Sequence, residues 1–398
     1  MRIGFLFNHD QIHQVAHSLP IAIALAQGGF DGEIIVATTN ARMANEVRRI
    51  AGPLLETHIE HVELKPSSAT RCLDTVLSKF VPAAKLLIYR DNIAFFRSLD
   101  ILVVAEKTSL ILKDHYGLHH LKIIHTRHGA GDRAIGFNAE SARFDHVLCS
   151  GPKIKDRLVQ SAGVPAENIS VVGYPKFDLA RDMPRHRLLP RSEKAVLYNP
   201  HVSPHLSSWY RHGHKILDQF IENPRYGLIF APHVMLFERP FVVTIDKLTI
   251  DRAGQIPARF LRCDNFRIDL GSRACTDMTY TLASDIYLGD ASSQVYEFLI
   301  RPRPCIFINS HKHRWQGNPD FTHWTMGEVI DHPDQLSIAL DRAEEMHEKV
   351  YLPVQKRLFE ESFDLSDTAS SVRAADAIMR FAGHKTINLS RHSFASAA

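Results

Sequence analysis

Several stretches of this chain gather residue types that handle phosphate groups and protons. Residues 284–299, SDIYLGDASSQVYEFL, end an apolar run at Gly289-Asp290 and open a helix through Ala291, Ser292 and Ser293. The first turn of a helix has unpaired backbone N–H groups and the positive end of its dipole. Two hydroxyls beside those N–H groups make a seat for a phosphate or diphosphate. Glu297, one turn later, is placed to meet a ribose hydroxyl. Asp and Ser are also favoured helix caps, so the segment by itself fits a cap as well as a seat.

A second stretch, IIHTRHGAGDR (123–133), brings His125, Arg127 and His128 to the end of an apolar run, followed by Gly129, Gly131 and Asp132. Glycines let a backbone approach a ligand closely, and a histidine at a strand end can act as a base or hold a phosphate. His128 is the candidate base; Arg127, Gly129 and Asp132 are candidate substrate contacts. A third signal is a pair of parallel phrases, LYNPH (197–201) and IFAPH (229–233). In each, proline fixes the strand exit and delivers a histidine, His201 or His233, to the same edge of a sheet.

Weaker signals are GYPKFD (173–178), suited to stabilising a hinge, and the basic loop HKHRWQGNP (311–319). His9, His13 and His17 stand at i, i+4 spacing, but no third carboxylate ligand accompanies them, and neither a metal nor an organic cofactor is expected. The chain has no GxxxxGK[ST], no GxSxG, and no GxGxxG after its first apolar run, where Asn8-His9-Asp10 stands instead. P-loop hydrolases, α/β-hydrolases and dinucleotide oxidoreductases are disfavoured accordingly. No DxD pair ends a strand, which disfavours a metal-dependent GT-A glycosyltransferase.

Elements must hold these residues in place, and composition sets their class. The 398 residues are 45% hydrophobic and 23% charged, enough for two domains with large cores. A net charge of +3 without basic runs gives no footprint for nucleic acid. The five cysteines are scattered, as suits a reducing cytoplasm. No apolar stretch reaches the ~18 residues needed to span a bilayer, and MRIGFLF reads as a strand rather than a signal peptide. The expectation is a cytoplasmic protein, with peripheral contact at the inner face of a membrane left open.

Short apolar runs at 2–8, 33–39, 58–64, 100–106, 121–126, 146–150 and 169–175 alternate with amphipathic stretches. This is the pattern of parallel strands covered on both faces. A Pro/Arg-rich break at 181–194 follows, and the alternation restarts at 194–201, 225–233, 265–271, 285–290 and 303–309. The expected fold is α/β and GT-B-like: two Rossmann-type doubly wound domains facing across a cleft, 1–182 on the acceptor side and 183–385 on the nucleotide side, with a tail at 386–398. Ligands of such sheets bind at the carboxyl ends of strands, where each candidate residue stands.

The turn at His128-Gly129, GYPKFD at 173–178, Pro232-His233, and GDASSQVYEFLIRPRPCIFIN at 289–309 together resemble the CDP-glycerol glycerophosphotransferase family of teichoic-acid and capsule polymer primases and polymerases. The resemblance spans roughly residues 120–310. It implies a GT-B fold and transfer of glycerol phosphate from CDP-glycerol to a hydroxyl of a glycan or polyol-phosphate acceptor, with release of CMP. It also implies roles. His128 would be base or phosphate contact, and His233 would polarise the donor diphosphate. Ser292 and Ser293 would hold that diphosphate, and Glu297 would meet the nucleoside; Asp290 and His201, by their places past strand ends, are further candidate substrate contacts. The chain departs from the family where Asn199-Pro200-His201-Val202-Ser203 replaces a Pro-Thr segment followed by Trp and Arg, and where Glu297 replaces a frequent Asp. Three readings therefore stand: a CDP-alcohol phosphotransferase, a UDP-sugar glycosyltransferase or non-hydrolysing 2-epimerase on the same fold, and a non-catalytic nucleotide-binding protein. The sequence leaves the oligomeric state open.

Overall fold

A computed structural model describes residues 1–8, 12–67, 81–127, 129, 131–132, 136–181, 183–238, 241–244 and 249–384. His128, His9 and the 386–398 tail lie outside the described residues. The chain forms two compact units. The first takes the described residues of Met1–His128, Phe137–Asp182 and Ser362–Ala398; the second takes those of Gly129–Gly136 and Met183–Glu361.

In the first unit, strands β1 (Arg2–Phe7), β2 (Glu33–Thr38), β3 (Glu60–Glu63), β4 (Ile101–Val104), β5 (Lys122–Thr126), β6 (His146–Cys149) and β7 (Ile169–Val171) make one sheet in the order β3-β2-β1-β4-β5-β6-β7. Every pairing is parallel. The strands are apolar on both faces because both are covered. Phe5, Ile34, Val36 and Val103 pack with the helices Val15–Gln27, Ala41–Ala51 and Ser370–Phe381. Leu6, Ile35, Leu102 and Val147 face a second core around Tyr89, Phe96 and Phe144.

The second unit repeats the plan. Its strands are β8 (Lys194–Asn199), β9 (Tyr226–Phe230), the hairpin β10 (Val242–Thr244) and β11 (Thr249–Asp251), β12 (Phe266–Ile268), β13 (Ile286–Gly289), β14 (Cys305–Ile308) and β15 (Glu328–Ile330). The main sheet runs β12-β9-β8-β13-β14-β15, again all parallel. Counted within this sheet the order is third, second, first, fourth, fifth, sixth, the Rossmann order. The short β15 and the β10–β11 hairpin were not expected.

Two expected bounds are corrected. The described residues of Gly129–Gly136 belong to the second unit, not to the first. Residues 362–384 belong to the first unit, not to the second. The reason lies in GYPKFD. Asp178 accepts N–H bonds from Ser370 at 3.1 Å and Ser371 at 2.7 Å, capping the helix Ser370–Phe381. Gly173 has φ +81, and a Cβ there would stand 2.8 Å from the Asp364 carbonyl oxygen. Tyr174 packs on Phe177, Phe363 and His17. The motif therefore fastens the end of the chain onto the first sheet. The Pro/Arg break packs on the second unit: Arg185 pairs with Asp285, and Leu189 is buried. Among the described residues no helix is long and apolar enough to cross a membrane.

Candidate functional site

The order of the second sheet reverses between β8 and β13, so its switch point lies where Asn199 pairs with Gly289. Gly289 is required by space: a Cβ there would meet the buried Tyr287 ring at 2.6 Å. Beyond Gly289, Asp290 is wholly buried. Its Oδ1 accepts the His201 N–H at 2.8 Å, and its Oδ2 accepts the Ser208 N–H at 2.7 Å and the Ser208 hydroxyl at 3.0 Å. Burial pushes this carboxyl up to about 7 despite those donors. Asp290 was expected to touch substrate; in the structure its oxygens gather the 201–208 loop. Asn199, which was not singled out as a contact, ties three strand ends together. Its Nδ2 donates to the Ala231 carbonyl at 2.7 Å, and its Oδ1 accepts from the Ser292 hydroxyl at 3.1 Å.

The two Pro-His phrases become matching loops. His233 donates its backbone N–H to the Pro200 carbonyl at 3.1 Å, and the two imidazole centroids are 6.0 Å apart. In each loop Nδ1 accepts the backbone N–H two residues on: Ser203 to His201 at 2.9 Å, and Met235 to His233 at 3.3 Å. An imidazole accepting at Nδ1 carries its proton on Nε2 when neutral. Burial lowers His233 to about 4, so it is neutral near pH 7. His233 thus presents an Nε2–H donor without a fixed positive charge, and His201 holds its Nδ1 in the same way. The 201–208 loop is braced from outside by the basic loop after β14, where His311 Nε2 meets the Ser207 carbonyl at 3.0 Å and His313 Nε2 meets the His205 carbonyl at 3.1 Å.

The helix expected to open through Ala291, Ser292 and Ser293 begins later and is short, Gln294–Phe298. Ser292 is buried, whereas Ser293 is exposed. Beside Ser293 runs the glycine turn. A Cβ on Gly131 would lie 3.0 Å from the Ser293 Cβ, and one on Gly129, at φ +81, would lie 3.6 Å from its Oγ. Glu297, expected to reach a nucleoside, is buried. Asp132, expected to bind substrate, is also buried. Its Oδ2 accepts the Tyr296 hydroxyl at 2.6 Å, the His323 N–H at 3.0 Å and the His323 Nδ1 at 3.2 Å.

Arg127 belongs to the first unit. Its guanidinium lies 4.2 Å from the centroid of Phe137 and is lowered to about 10 by burial. His128 lies outside the described residues. The structure therefore collects His201, His233, Asn199, Asp290, Ser292, Ser293, Gly129 and Gly131 in the second unit, with Ser293 exposed and the two histidines half-buried. The end of β1 is filled differently. Asn8 Nδ2 donates to the Tyr89 hydroxyl at 2.7 Å, which meets the Ser109 hydroxyl at 2.8 Å, all buried. Residues 9–11, where a dinucleotide-binding turn would begin, are not described.

No protein-family model matches the chain, and no curated protein matches it in sequence. Solved structures do match. The wall teichoic acid polymerase TagF, a CDP-glycerol glycerophosphotransferase polymerase, superposes with a TM-score of 0.62 at 16% identity, covering 95% of this chain and 88% of its own. MnaA from S. aureus, in a structure with UDP, gives 0.59 at 14% identity, covering 98% and 99%. A protein described as a UDP-N-acetylglucosamine 2-epimerase from Listeria monocytogenes gives 0.61 at 13% identity, covering 97% and 98%. At such identities the likeness establishes the fold: two parallel α/β units of the GT-B build.

Proposed function

We propose that this chain is a transferase that moves glycerol phosphate, or a related polyol phosphate, from a CDP-activated donor to a hydroxyl of a cell-surface polymer or glycan acceptor. The observation that carries this reading is the set of hydrogen-bonding side chains at the switch point of the second unit. The Nε2–H groups of His201 and His233 and the exposed Ser293 hydroxyl stand at the carboxyl ends of β8, β9 and β13, where Rossmann sheets bind nucleotides.

In the transfer, the acceptor oxygen bonds to the distal phosphorus as the bond from that phosphorus to the CMP oxygen breaks. The electron pair of the broken bond leaves with CMP. Charge spreads over the phosphoryl oxygens, so the protein mainly positions groups and stabilises charge. The two imidazoles supply hydrogen bonds to the diphosphate oxygens, and Ser293 adds a third. The acceptor proton goes to a base, for which His128 is the candidate from sequence. Asp290 and Asn199 hold the loops and do not touch the donor.

A second reading, a UDP-sugar glycosyltransferase or epimerase, is favoured by the neighbours whose names tie them to UDP. One thermal-shift plate separates the two, because a ligand that binds only the folded state raises its apparent stability. CDP and CDP-glycerol are expected to raise the midpoint more than UDP or GDP, and CDP-glycerol with a polyol-phosphate acceptor is expected to release CMP. Stabilisation by UDP alone supports the second reading. No response to any cytidine nucleotide refutes the first. Cytidine binding without turnover points to a non-catalytic binder.

A further inference from the structure

We infer that Asp132, His323 and Tyr296 form a buried latch that holds Gly129 and Gly131 against Ser293, and that the latch thereby sets donor affinity. The second clause rests on the reading of Ser293 as part of the donor seat.

The three residues come from distant parts of the sequence and meet at one atom. Asp132 Oδ2 accepts from Tyr296, from the His323 backbone and from the His323 ring. A buried carboxylate needs such partners, since an unpaired charge out of water is strongly unfavourable. Tyr296 stands three residues after Ser293, on the helix that follows it. Pulling Asp132 onto Tyr296 therefore draws the turn onto the serine. At its two glycines no side chain stands in the way: Gly131 lies so close to Ser293 that a Cβ would reach 3.0 Å from the Ser293 Cβ, and Gly129 takes a φ of +81. Latch and glycines serve one close approach.

His323 acts here through position. Its Nδ1 faces Asp132, while its Nε2 is buried without a partner among the described residues. The ring is enclosed by Phe307, Phe321 and Trp324. An Nε2 sealed in this way does not reach a substrate hydroxyl, so His323 is a positioning residue and not the base.

The test uses the full chain and two substitutions that keep volume, Tyr296→Phe and His323→Phe, with His323→Asn as the conservative variant. Amide hydrogen exchange at 129–132 is expected to rise about tenfold in the first two while β13 and β14 stay protected. The Kd for CDP and the KM for CDP-glycerol are expected to rise about fivefold to tenfold, with kcat changing less than about twofold. Asn places an N–H donor where Nδ1 stood, so His323→Asn is expected to restore affinity. If His323→Asn abolishes kcat, His323 is the base and the positioning role is wrong. Exchange that rises throughout the second unit, or that does not rise at 129–132, overturns the latch. A confined rise with unchanged CDP affinity overturns its link to the donor. If the unsubstituted chain binds no nucleotide, the proposed function has failed, and the latch stands or falls on the exchange result alone.

Discussion

Replacing Asp290 by Asn turns a buried acceptor into a group that also donates. The carboxylate accepts from donors on two residues: the N–H of His201, and the N–H and hydroxyl of Ser208. No orientation of an amide satisfies both backbone N–H groups, so one is left unpaired at a cost of about 1–3 kcal/mol. A second effect depends on pH and has a fixed sign. Asp290 is pushed up to about 7 by burial, while in the unfolded chain it titrates near 4. Between those values the folded chain holds a proton that the unfolded chain has released. Folding stability from this group is therefore full at acid pH and is lost as pH rises through the window. Each pH unit is worth about 1.4 kcal/mol, or about 4 kcal/mol over the window. Asn does not titrate and removes that slope. The assay is urea unfolding at several values from about pH 4.5 to about pH 8, read by tryptophan fluorescence. All three tryptophans, Trp209, Trp315 and Trp324, lie in the second unit, so the signal reports the unit that holds Asp290. The stability of the wild type minus that of Asp290→Asn is expected to fall as pH rises to 7 and then level off. A difference that stays constant, or that grows with pH, refutes the assignment of Asp290 as a buried carboxyl with a raised titration point.

Other outcomes follow from the same geometry. Because His233 is lowered to about 4, it stays neutral from about pH 5 upward. His233→Ala is expected to lower kcat/KM about 100-fold, equally near pH 5.5 and near pH 8; a loss that varies over that range indicates proton transfer instead. Gly173→Ala forces a Cβ against the Asp364 carbonyl at a φ of +81. It is expected to destabilise the first unit by about 2–4 kcal/mol, seen by circular dichroism as a lowered midpoint while the tryptophan-monitored transition moves less.

Much of the fold is legible in the sequence because parallel strands covered on both faces must be apolar throughout. Runs such as ILVV at β4 and IYLG at β13 announce themselves by composition, and proline or small polar residues mark where they end. The positions of His201, His233, Ser292 and Ser293 follow from the same logic, since each stands just past a strand. Roles at those positions were less legible. Asp290 and Asp132 carry the residue type that binds ligands, yet both are buried and committed to loops, and burial is a property of the packed chain. Asn199 stood inside a noticed phrase without a role, and His323 in none, because the partners that give them meaning, Ser292 and Asp132, are remote in sequence.

By itself, then, the sequence determined the parallel α/β class, the strand ends and the set of residues able to handle a diphosphate. Local pattern is sufficient for these, since each depends on neighbours a few positions away. Only the tertiary structure decided that the last helix belongs to the first unit, that the histidines bond through Nδ1 and so present Nε2–H, and that the carboxylates hold loops. Those outcomes depend on which groups lose water when distant segments pack. Desolvation, which moves Asp290 up and His233 down, has no signature in a linear string of residues.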